Sequence, residues 1–72
     1  MRGYTWIGEA NNHNTGQKYI MYGRSGKVFL YETNSNYAEK VKTNMWFEKS
    51  SKGMIDFACN HKELGFYQTL TS

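Results

Sequence analysis

The chain has no proline and one cysteine, Cys59, and no window approaches the run of about eighteen apolar residues that a membrane span needs. Each absence removes a class of answer. A single thiol closes no intramolecular disulfide, which excludes the stapled secreted scaffolds. The six acidic residues are scattered singly, so no carboxylate pair or two-metal site stands out. No phosphate-cradling loop is present either, because Gly23-Arg24-Ser25-Gly26 is too short and lies within a hairpin.

Ligands and nucleophiles are equally sparse. His13, Cys59 and His61 are the only soft or borderline metal ligands, and Cys59-x-His61 lacks the second pair that a structural zinc needs. Cys59 reads as an inert core thiol and the two imidazoles as exposed. A Cys59–His61 nucleophile has no oxyanion hole or orienting carboxylate to work with. A metal-free ribonuclease would need His13 and His61 to converge on one phosphate, yet both lie in polar connections. The expectation is a non-catalytic protein with no metal and no cofactor.

Seventy-two residues make one domain, 1–72. A chain of that size buries only about 60% of its unfolded surface, so its core is marginal. Stability must come from the twelve aromatic residues, from sheet pairing or from self-association, and a homo-oligomer is among the states this allows. Nine Lys or Arg against six Asp or Glu give a formal charge of +3 and a pI near 9.1. That balance permits binding to nucleic acid or to an acidic protein surface and demands neither. Met1-Arg2-Gly3-Tyr4 leads into no apolar run, so no export signal is expected. With the lone thiol, this points to the cytoplasm of the producing or host cell.

What the sequence does have is a hairpin. Residues 17–23 and 27–33 are rich in residues that suit a pleated, half-buried surface, and glycines at 23 and 26 supply the turn. One face carries Tyr19, Met21, Val28 and Leu30 and reads as core, with Gln17 and Glu32 at its open end. The other carries Lys18, Ile20, Tyr22, Lys27, Phe29 and Tyr31, a mixture of flat rings and ammonium groups that suits stacked bases between phosphates. The alternative for this second face is a covering layer with the lysines snorkelling at its rim.

Elsewhere, residues 4–8 predict a first strand, with either Tyr4/Trp6 or Thr5/Ile7 inward, followed by a polar loop over 9–16. Asn36 and Glu39 resemble a capping box, and Tyr37, Val41 and Met45 share one helical stripe, predicting a helix over 36–43. Residues 44–49 read as a strand, 50–53 as a turn and 54–59 as a further strand with Ile55, Phe57 and Cys59 facing the core. After a connection over 60–65, a last strand is expected at 65–70, with Phe66 and Leu70 on one side. The fold class is therefore mainly β: a small antiparallel sheet or partly open barrel of about five to six short strands with one short helix.

Trp46 and Phe47 are neighbours on a strand and cannot both point inward, so the chain has more rings than one core face needs. The motifs of RRM, KH, zinc-finger, helix-turn-helix and cold-shock families are absent. The leading expectation is a binding module for single-stranded nucleic acid of low specificity, using Lys18, Tyr22, Arg24, Lys27, Phe29, Tyr31 and Trp46. Lys40, Lys42, Lys49 and Lys52 form a second basic cluster that could extend it. The competing expectation is a small phage- or mobile-element-type protein that inhibits or regulates a host protein by direct contact, since Tyr, Trp and Arg anchor protein interfaces. No membrane partner is expected.

Overall fold

A computed structural model describes residues 2–67. The elements are β1 (Thr5–Asn12), β2 (Lys18–Arg24), β3 (Lys27–Thr33), β4 (Val41–Glu48), α1 (Ser51–Asn60) and β5 (Leu64–Tyr67). All strand pairs are antiparallel, and the sheet runs β4-β3-β2-β1-β5, curled into a half-barrel with one short helix. The mainly-β expectation holds.

The central hairpin forms as its residues dictate. Arg24 pairs with Lys27, leaving Ser25-Gly26 as a two-residue loop with φ of 55° and 76°. Two left-handed residues make the turn whose twist matches a hairpin, and Gly26 takes that conformation without a Cβ penalty. Tyr19, Met21, Val28 and Leu30 form the buried face as expected, joined by Ala10, Phe47, Phe57 and Leu64. The rings of Phe47 and Phe57 lie 5.0 Å apart and tie helix to sheet.

Three expectations fail, each for a local reason. Residues 36–43 form no helix. Tyr37 sits at φ 60°, and the side-chain oxygens of Asn34 and Asn36 accept from the amide of Ala38, giving a turn in place of a cap. Val41 onward then pairs with β3, where β-branched Val41 and Thr43 fit better than in a helix.

The helix lies instead at 51–60, across the predicted turn at 50–53 and strand at 54–59, so Trp46 to Phe57 is not a second hairpin. Ser50 is its N-cap, extended at φ −153°, and its Oγ accepts from the Gly53 amide at 3.0 Å. Met54, Phe57, Ala58 and His61 are the positions turned inward, at helical spacing. Ile55 and Cys59 are therefore exposed, and the core-thiol reading of Cys59 is overturned. A Cβ at Gly53 would collide with the Glu48 carbonyl, which explains how the helix starts so close to the end of β4.

The polar stretch 9–16 is only half loop. Glu9 to Asn12 are strand because β1 is an interior strand, with β2 on one side and β5 on the other. The turn begins at Asn12, whose Oδ1 accepts from the amides of Asn14 and Thr15 at 2.8 and 3.1 Å. On β1 a bulge between Trp6 and Gly8 sends Ile7 to the core side, against Gly23, while Trp6 stays opposite Tyr22. The predicted last strand is present from Leu64 to Tyr67, and residues 68–70 lie outside the described residues.

Candidate functional site

The functional interest lies on the sheet face opposite the helix. In an antiparallel sheet, residues paired across strands share a face. Trp46 pairs with Phe29, Phe29 with Tyr22 and Tyr22 with Trp6. Four aromatic residues from four strands thus stand in one row, spanning ~15 Å at the usual strand spacing. The neighbouring row toward the hairpin tip is Glu48, Lys27 and Arg24, and on the other side Lys42 pairs with Tyr31. A row of rings is bracketed by cations, with the Glu48 carboxylate at one corner.

The cations lie over the rings. Lys27 Nζ is 4.9 Å from the centroid of Trp46, and Lys42 Nζ is 5.3 Å from that of Phe29. Such contacts are worth about 0.5–1 kcal/mol at exposed sites. Arg24 Cζ sits 5.0 Å from the centroid of Tyr4, whose ring meets Phe29 edge-on at 6.2 Å.

Exposure varies along the face. Trp46 is 47% exposed, whereas Phe29, Tyr22 and Trp6 are half-buried. Tyr31 is only 6% exposed, edge-on to Tyr22 at 5.7 Å, and supports the row from behind. The Arg24 guanidinium, and then the Tyr31 hydroxyl, act on the Tyr4 phenol to pull its pKa below the ordinary tyrosine value. Tyr31 shifts upward, through burial first and the neighbouring Tyr4 phenol second.

The far end of the face is closed. There Tyr37 crosses from the β3–β4 connection and donates to Glu9 Oε1 at 2.9 Å, beside buried Ile20 and Thr33. That bond to a carboxylate raises the Tyr37 pKa. Lys18 pairs with Asn11 and Thr33 at this closed end, separated from the aromatic row by Ile20. The structure therefore brings together Tyr22, Arg24, Lys27, Phe29, Tyr31 and Trp46, and leaves Lys18 apart.

An open cleft of about 450 Å³ lies at the Trp46 end, lined by Lys27, Phe29, Lys42, Thr43, Asn44 and Trp46. It arises from an irregularity in the ladder. Between the pairs Phe29–Trp46 and Tyr31–Lys42, β4 places Thr43, Asn44 and Met45 opposite Leu30 alone. Thr43 closes the gap by donating to the Leu30 carbonyl at 2.7 Å and accepting from the Met45 amide at 3.1 Å. A second cavity, about 360 Å³, lies on the core face beneath the start of α1, among Ile7, Met21, Val28, Phe47 and Met54.

The two histidines weighed for catalysis have structural partners. His61 stacks on Phe57 with centroids 4.0 Å apart, and its Nδ1 lies 3.0 Å from the Phe57 carbonyl oxygen. His13 packs against Gly65 in the turn after β1. Among the described residues, no group of three His, Cys, Asp or Glu side chains converges to hold a metal ion. Nor is any helix among them long and apolar enough to cross a membrane.

Sequence reasoning missed Tyr4, Trp6 and Asn44 as members of this face and placed Lys42 only in a second basic cluster that could extend it. The alternation Tyr4/Trp6 against Thr5/Ile7 held the signal for the first two. The helix predicted over 36–43 kept Lys42 off the sheet, and Asn44, at the start of the strand predicted over 44–49, carried no signal of its own. No protein-family model, curated protein or solved structure matches the chain, so the reading of this face rests on its residues.

Proposed function

We propose that the protein is a non-catalytic binding module for single-stranded nucleic acid and that the row Trp46–Phe29–Tyr22–Trp6 is its platform. The observation that carries this reading is the bracketing of four cross-strand rings by Lys27, Arg24 and Lys42. Bases present flat faces to rings whatever their identity, while phosphates on either flank meet the cations. Stacking on half-buried rings also needs little new ordering of the protein, because the edge-on contacts among Tyr4, Phe29, Tyr22 and Tyr31 already hold the row. When a base covers Trp46, Lys27 leaves the ring on its flexible stem and pairs with a phosphate.

Three cations predict a modest salt dependence. With a slope of about −0.7 per neutralised phosphate on single strands, raising salt from 50 to 200 mM lowers affinity ~20-fold. Fluorescence anisotropy of a labelled oligonucleotide at the two salt concentrations checks this. Affinity that stays constant, or no binding at either, removes the reading.

A second reading draws on a different observation. β4 is an edge of the sheet and carries two exposed large apolar residues, Val41 at 55% and Trp46 at 47%, and open edges accept an extended segment of another protein. A partner retained from nuclease-treated lysate, and lost when charge is placed at Val41, favours that reading. Loss of every partner on nuclease treatment favours nucleic acid.

A further inference from the structure

We propose that the cleft between β3 and β4 is a pocket for one unpaired base and that Asn44 reads its edge. The inference rests on the nucleic-acid reading above and adds to it a position of base specificity.

The cleft has the parts such a pocket requires. Its volume of about 450 Å³ falls within the ~300–1,000 Å³ range of small-ligand sites. Two rings, Phe29 and Trp46, are direct cross-strand neighbours in its wall, and Trp46 is the more exposed. Lys27 and Lys42 stand at opposite ends, each now over a ring. A nucleotide placed there has a surface for its base and a cation for the phosphate on either side.

Discrimination falls to Asn44 by the chemistry of its neighbours. The Thr43 hydroxyl is already occupied by the Leu30 carbonyl and the Met45 amide. The two lysines are donors only and contact phosphate without regard to base. Asn44 carries an amide, a donor beside an acceptor, at an exposed position on the cleft wall. An amide pairs in two-point fashion with the donor and acceptor on the edge of an unpaired base, so the way Asn44 is held in the wall ranks the bases. The ladder irregularity serves this arrangement. It adds residues to β4 between Lys42 and Trp46, and a regular ladder would leave no room for a side chain between the cation and the ring.

The test uses five-nucleotide oligothymidylates whose central base is thymine, cytosine, adenine or guanine. A Trp6→Phe background keeps a ring in the row and leaves Trp46 as the tryptophan reporter. The expected result is quenching of Trp46 emission on binding, with the four oligonucleotides spread over at least ~5-fold in affinity. Asn44→Ala should bring all four within ~2-fold while leaving the salt dependence unchanged, since no phosphate contact is removed. Circular dichroism confirms that this exposed substitution keeps the fold. Two results overturn the pocket alone: binding without quenching, or a base order that survives Asn44→Ala. Absence of binding by all four oligonucleotides, read at 50 mM salt with unaltered protein, removes the parent reading as well.

Discussion

At the scale of single residues, the two faces of the sheet predict opposite mutational signatures. Trp46→Ala removes an exposed ring. It should weaken oligonucleotide binding by a factor of ~5–150, corresponding to about 1–3 kcal/mol of stacking, and leave the urea midpoint nearly unchanged. Phe57→Ala should do the reverse. Phe57 is buried among Phe47, Phe66 and His61, and its loss should cost about 3–5 kcal/mol in stability. In a domain this small, that approaches the whole folding free energy. Equilibrium denaturation of both variants, with binding measured where each is folded, separates the effects. A Trp46→Ala protein that unfolds early would show that the ring is structural.

At the scale of elements, the best tests are where local chemistry decides the outcome. Ser50→Ala removes the cap of α1 and should cost about 1 kcal/mol. Gly53→Ala improves helix propensity yet should destabilise by about 1–3 kcal/mol, because the added methyl meets the Glu48 carbonyl. A stabilised Gly53→Ala protein in thermal melts would refute the close approach. The same segments show what could be read from sequence. The hairpin was legible because alternation, glycine placement and the two-residue periodicity agreed over 17–33. Alternation required Trp46 and Phe47 to face opposite ways, and the pairing of Phe47 with buried Val28 decides which is inward. The helix was not legible where it formed, because Ser50-Ser51-Lys52-Gly53 has the composition of a turn. Its inward residues Met54, Phe57, Ala58 and His61 include one small and one polar side chain, which blurs the stripe. Conversely, Asn36 and Glu39 displayed a capping pattern with no helix behind it, since pairing with β3 claimed Val41 onward. Propensity yielded to tertiary pairing there. The candidate site was half legible: its hairpin members and Trp46 were found, while Tyr4, Trp6 and Asn44 needed the register.

At the scale of the whole molecule, the phenols give the fold a pH limit. Burial raises the pKa of Tyr19 and Tyr31, and the Glu9 carboxylate raises that of Tyr37. Each is held protonated in the folded chain beyond the ordinary value of 10.0 at which the unfolded chain ionises. Their stabilisation is thus complete below pH 10 and is lost as pH rises through the raised values. Tyr4 acts in the opposite sense, since its lowered pKa adds stability as it ionises, but it is one phenol against three. The urea midpoint should fall between pH 9 and pH 11, and less steeply in a Tyr19→Phe variant. A midpoint that stays level or rises would contradict this balance. The order of the sheet has a further result. β1 to β4 follow one another as neighbours, but β5 reaches the sheet only after α1, and among the described residues it pairs with β1 alone. Contacts made between adjacent strands are quick to re-form, whereas the Ala10–Phe66 pairing closes nearly the full length of the described chain. In native-state hydrogen exchange, the amides of α1 and β5 should therefore open together as one unit and exchange ahead of Met21 and Leu30. The aromatic row would stay assembled on the remaining four strands while that unit is open.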